Sequence, residues 1–183
     1  NLNDFMADLY DEPEFICDLL ELTTQLGVRF AVEQVRAGAD IIGIGDAMAS
    51  LMSPKLYEEY CYPHTKRLIS EIRSRVDVKL KYHVCGNATH LLPYVEPLGF
   101  DVLTIDYLVD AKQAFQKVGK VCIKGNIDPV NVLMMGSPAD VDTAADALLA
   151  LRAKRFILSP GCEVPKNTPE SQLHALVHSV RRV

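Results

Sequence analysis

The sequence predicts an α/β fold of parallel (β/α) units, forming the C-terminal five-eighths of a TIM (β/α)8 barrel. Three observations carry this. Short apolar runs recur five times between segments of helical periodicity, the pattern of a parallel sheet with crossover helices. The runs are nearly continuous, as expected of strands buried on both faces. Reactive side chains gather where the runs end: Asp46, His83, Cys85, Asp106, Asn126 and Cys162. Barrels and open doubly wound sheets both place their chemistry at that end. A complete barrel needs eight units in about 250 residues. Five are legible in the 183 residues, so a single partial-barrel domain is expected over 1–183.

Each element has a local reason. Residues 13–37 read as one long helix, with Pro13 suited to a first turn and Phe15, Leu19, Leu22 and Leu26 at helical spacing. Residues 39–46 form a short buried strand. Ser53 and Pro54 open the next helix as cap and first-turn proline, and Pro63 should kink or split it. Residues 78–84 are the second strand and 87–98 a helix. Residues 102–106 are the third strand, followed by a short helix over 111–117. Residues 121–125 are the fourth strand. Ser137, Pro138 and Asp140 start a helix that runs to about Ala153. Residues 156–159 are the fifth strand, and Thr168, Pro169 and Glu170 begin the last helix.

Composition narrows the function. With 49% hydrophobic residues the chain can bury a real core. No stretch approaches the roughly 20 apolar residues of a membrane span. The first eight residues lack the basic start and apolar run of a secretory signal. The absence of Met at position 1 points to a trimmed chain or one cut from something longer. A net charge of -5 without a basic stripe argues against nucleic acid as a partner. Five widely spread cysteines are an odd number and fit a reduced, cytoplasmic setting.

The most informative residues are one histidine and two cysteines. If two neighbouring strand ends aim His83, Cys85 and Cys162 at one point, the donors suit zinc and leave a fourth position open, as catalytic zinc requires. By itself a His-x-Cys pair is more often structural. Cys17, Cys61 and Cys122 read as buried core filler. His64, His90, His174 and His178 fall on helices and are expected to face solvent. Asp46 could bind substrate, orient a zinc ligand or fill the fourth position, or merely cap a loop. Asp106 and Asn126 share its position at strand ends and could contact substrate or hydrogen-bond His83. Gly43, Gly45 and Ala49 superficially match a dinucleotide fingerprint, but the next helix starts too late for one.

Three runs carry a resemblance: His83-Val84-Cys85-Gly86-Asn87, Gly125-Asn126-Ile127-Asp128-Pro129, and the stretch from Gly161 to Pro169. Together they resemble the uroporphyrinogen decarboxylase superfamily, from about Asp11 to the end of the chain. The superfamily is built on a (β/α)8 barrel. Its decarboxylases share the Gly-Asn-Ile-Asp-Pro run but carry histidine where this sequence has Cys162. Its cobamide-dependent members, the zinc-dependent methylcobamide:coenzyme M methyltransferases, carry the His-x-Cys pair and a distant cysteine, which is the pattern here.

The resemblance implies zinc on His83, Cys85 and Cys162; the strand-end positions of Asp46, Asp106 and Asn126 make them the expected substrate-binding residues. It implies methyl transfer from a methylated corrinoid (cobamide) protein to a thiol such as coenzyme M. Free thiols are mostly protonated at neutral pH, and a metal with two thiolate ligands can hold a third as a competent nucleophile. The alternatives are a metal-free decarboxylase-like lyase and a non-catalytic corrinoid-protein-binding fragment with structural zinc. Five strands with open edges should also associate, either as a homo-oligomer or with a missing N-terminal half.

Overall fold

The computed structural model describes residues 2–181. The chain packs into two compact units. One comprises residues up to 42 together with 52–79, the other 43–51 together with 80 onward.

The first unit is helical: α1 (Leu2–Asp11), α2 (Pro13–Arg36), α3 (Pro54–Leu56), a π-helical turn (Tyr57–Cys61) and α4 (Tyr62–Arg75). The Ser53 hydroxyl accepts the Leu56 N–H at 3.3 Å, the expected cap. The break expected at Pro63 takes the form of that π-helical turn, after which α4 restarts with Pro63 in its first turn. Arg67 of α4 bridges Glu21 of α2 and Glu71. Where the two helices meet, a Cβ on Gly27 would lie 3.2 Å from Leu68.

Three sequence expectations are corrected in this unit. The α2 residues Phe15, Leu22, Leu26 and Phe30 are exposed, and the buried ones are Ile16, Thr24, Val28, Ala31 and Val32. The helix carries two apolar stripes, and periodicity alone does not say which is covered. Cys17, read as core filler, is exposed for the same reason, whereas Cys61 is buried against Met52. His64 is half-buried, with Nδ1 enclosed, rather than solvent-facing. Helix α1 was not anticipated.

The sheet has the strand order β1 (Ile41–Gly45), β2 (Lys79–Val84), β3 (Val102–Ile105), β4 (Cys122–Ile127), β5 (Phe156–Pro160). Strands β2 to β5 pair in parallel with neighbours that are consecutive in sequence, as right-handed βαβ units produce. The intervening helices are α5 (Leu92–Leu98), α6 (Ala111–Lys117) and α7 (Pro138–Leu149), with α8 (Glu170–Arg181) last. The Ser137 hydroxyl and the Asp140 carboxylate form the anticipated capping box of α7. That helix ends at Leu149, earlier than expected, ahead of Arg152 in the left-handed region (φ 50°).

The second unit's core shows why β4, β5, α7 and α8 hold together. Ile127, Leu133, Val141, Ala145 and Ala175 are buried in one cluster, with Leu148, Leu158 and Leu176 packed against it. Burial on both faces of every strand does not hold, however. In β2 and β4 burial alternates with period two: Leu80, Tyr82 and Val84 are buried, while Lys81 and His83 are half-open, and Ile123 and Ile127 alternate with Lys124 and Asn126. In these two strands one face is thus apolar and packed and the other polar, whereas in β3 both Leu103 and Thr104 are buried, and Ile157 of β5 lies exposed beside Lys124.

Candidate metal centre

His83 is on the polar face near the end of β2. Cys85 follows one residue past that strand, and Cys162 two residues past β5. The expectation that neighbouring strands supply the donors is corrected by the strand order, because β3 and β4 lie between β2 and β5. Three strand spacings in a flat sheet would separate β2 from β5 by roughly 14 Å. The two sulfurs are nevertheless 3.8 Å apart, so the sheet curls and the two turns lean together, as they do in a barrel.

The cluster has the dimensions of a metal's coordination shell. His83 Nε2 is 3.3 Å from Cys85 Sγ and 3.6 Å from Cys162 Sγ. Tetrahedral zinc, with Zn–S of about 2.3 Å and Zn–N of about 2.0–2.1 Å, requires S···S near ~3.8 Å and S···N near ~3.6 Å. Both cysteines are free thiols. The tautomer is also suited: His83 Nδ1 donates to the Thr104 carbonyl at 3.2 Å, which leaves the Nε2 lone pair facing the sulfurs. Neither Asp106 nor Asn126 makes the hydrogen bond to His83 that the sequence suggested. Among the described residues no other group of three His, Cys, Asp or Glu side chains converges in this way. His174 and His178 stack on each other on the exposed face of α8.

The turn after β3 braces both cysteine-bearing turns. Asp106, 4% exposed, accepts the Gly86 N–H at 2.9 Å and the Leu108 N–H at 3.0 Å. Gly86 directly follows Cys85. The Asn126 amide donates to the Asp106 and Val109 carbonyls at 3.1 and 2.7 Å. Gly161, next to Cys162, passes so close that a Cβ there would lie 2.4 Å from the Tyr107 nitrogen. Only glycine allows this approach. Asp46, at the end of β1, accepts from the Tyr82 hydroxyl at 2.9 Å and the Ala49 N–H at 3.2 Å. Burial raises its carboxyl above the usual range. The sequence did not reveal these braces, because the partners of Asp106 and Asn126 are backbone groups.

Burial, and after it the neighbouring Cys162 thiol and the Asp106 carboxylate, push the Cys85 thiol up to about 11. At neutral pH this sulfur therefore holds its proton until a metal displaces it. Were zinc to bind here, its apparent affinity would rise by at least about tenfold per pH unit between about pH 6 and 8, since at least one proton would leave as metal enters. Competition against a chelator of known pH dependence measures this. A flat profile would mean that Cys85 is not a ligand.

With this geometry in hand, relatives give it context. The profile of the uroporphyrinogen decarboxylase (URO-D) family matches residues 1–183. The chain is 32% identical over 179 residues to the methylcobamide:CoM methyltransferase MtbA of Methanosarcina acetivorans, covering 97% of this chain and 52% of the relative. It is also 32% identical over 174 residues to a uroporphyrinogen decarboxylase of Thermodesulfovibrio yellowstonii, covering 94% of this chain and 50% of the relative. A solved methyltransferase from Methanosarcina mazei superposes with a TM-score of 0.90 at 25% identity, over all of this chain and 53% of that one. The chain thus spans about half the length of the relatives it matches. The parallel sheet with alternating helices is part of a (β/α)8 barrel of this type, and the chain belongs to the uroporphyrinogen decarboxylase family.

Proposed function

We propose that this chain carries the metal-binding part of a zinc-dependent methyltransferase, which moves a methyl group from a methylated corrinoid protein to a thiol such as coenzyme M. The observation that carries this reading is the spacing of His83 Nε2, Cys85 Sγ and Cys162 Sγ at the edges of a tetrahedron, with the imidazole tautomer set by Thr104. The likeness to a methylcobamide:CoM methyltransferase supports it.

The three donors would hold the ion and leave a vacancy for the substrate. Bound zinc would supply a Lewis acid that lowers the pKa of an incoming thiol. The transfer joins sulfur to the methyl carbon as the carbon–cobalt bond breaks, its electron pair remaining with cobalt. Thr104 keeps the imidazole oriented. The Asp106 and Gly161 contacts hold the cysteine-bearing turns in place, so that the vacancy keeps one shape. Asp46, whose carboxyl oxygens receive Tyr82 and Ala49, would shape the substrate pocket. The remaining strands of the barrel would come from another segment or a second copy, and we place the protein in the cytoplasm.

Identity to a uroporphyrinogen decarboxylase favours a second reading, a lyase that needs no metal. The two readings separate experimentally. We expect one zinc per chain, and X-ray absorption at the zinc edge should gain one sulfur neighbour when a substrate thiol is added. A protein without zinc that turns over a porphyrinogen would replace this reading by the second.

A further inference from the structure

A polar row crosses the sheet beside the metal centre. His83 of β2, Thr104 of β3 and Lys124 of β4 are register partners, and register partners in a parallel sheet point to the same face. Thr104 is 6% exposed, and its hydroxyl has no hydrogen-bond partner among the described residues. A buried hydroxyl left unpaired is costly and calls for an explanation.

Lys124 is half-buried, and its ammonium donates to the Ser159 hydroxyl at 2.5 Å. Ser159 donates its own proton to the Pro160 carbonyl at 3.1 Å, so a lone pair is left to receive the lysine. Ser159 lies two positions beyond Ile157, the register partner of Lys124, and three before Cys162. The ammonium is therefore drawn toward the end of the sheet that carries the thiols.

Lys81 lies two residues before His83 on the same face. It rests over Gly43, where a Cβ would sit 3.2 Å from its Cε. Burial, and secondarily the charge of Lys81, hold the Lys124 ammonium below the usual lysine range. Among the described residues no carboxylate pairs with either lysine. Two like charges on a half-buried face, beside an unpaired hydroxyl, are an arrangement that an anion relieves.

We propose that Lys124, set by Ser159 and supported by Lys81 and the Thr104 hydroxyl, forms an anion subsite for the carboxylate or sulfonate end of the acceptor thiol. The subsite selects anionic thiols over neutral ones. The inference rests on the thiol-methylation reading above and assigns the residues that read the far end of the thiol. Strands β2 and β4 lie roughly 10 Å apart, a span that the lysine side chain and a short carbon spacer bridge together.

The test loads the protein with cobalt(II) in place of zinc and follows thiolate-to-metal absorption during titration with 3-mercaptopropionate and 2-mercaptoethanol. We expect the anionic thiol to bind at least about tenfold more tightly than the neutral one, the strength of a charged hydrogen bond. Lys124→Met should reduce that ratio to near one, and Lys124→Arg should keep most of it. Equal binding of the two thiols by the unsubstituted protein would overturn the subsite, and this measurement decides even if Lys124→Met fails to fold. A Lys124→Met protein that weakens both thiols alike would also overturn it. In both cases thiol still reaches the metal and the methyl-transfer reading stands. A protein that takes up cobalt but no thiol would bring down both.

Discussion

Cys162→Ala is expected to abolish stoichiometric zinc while leaving the fold intact. The substitution removes the sulfur that stands 3.8 Å from Cys85 Sγ and 3.6 Å from His83 Nε2. What remains is a pair of donors separated by one residue at a single strand end, and protein zinc sites use three or four ligands. Losing a hydrogen-bond partner outside the shell already costs about 10–100-fold in affinity, so losing a ligand should cost more than that. The side chain is only half-buried and makes no contact with the apolar cluster of the second unit. The metal-free melting temperature should therefore stay near that of the unsubstituted protein. Metal analysis after dialysis, with chelator competition, measures the loss. Cys122→Ala, on β4 away from the cluster, is the control and should retain one zinc per chain. Full zinc in the Cys162→Ala protein would remove the centre proposed here.

The strands and the convergence of His83, Cys85 and Cys162 were legible because both follow from local rules. Apolar runs over 78–84, 102–106 and 156–159 match β2, β3 and β5 to within a residue or two. Parallel strands put reactive side chains at their C-terminal ends whatever the sequence between them, so His83, Cys85 and Cys162 could be brought together on paper. What escaped depends on partners that the sequence does not display. The covered face of α2 is set by what packs on it, and Phe15, Leu22 and Leu26 had the right spacing on the wrong face. Period-two burial in β2 and β4 puts Lys81 and Lys124 on the polar face, where the apolar character of these runs predicts burial on both sides. Thr104 gave no signal of its own. Its place in the row appears only once the register of β2, β3 and β4 is known.

Asp106→Ala tests whether the centre depends on the turn that braces it. The carboxylate accepts two backbone N–H groups, of Gly86 and Leu108, in a nearly closed position. Removing it strands both donors, and hydrogen bonds to charged groups contribute about 1.5–3 kcal/mol each. A stability loss of about 3 kcal/mol is expected, allowing for partial access of water to the turn, and chemical denaturation should detect it. Zinc should weaken by about 10–100-fold, the usual cost of losing a supporting partner, because Gly86 fixes the backbone that carries Cys85. Asp106→Asn separates the two effects. An amide can accept one of the N–H groups but must turn its own NH2 toward the other, so stability should recover in part while zinc stays weakened. If Asp106→Ala loses stability but binds zinc as tightly as the unsubstituted protein, the turn supports only the fold. The positions of Cys85 and Cys162 would then be set by the strands β2 and β5 alone.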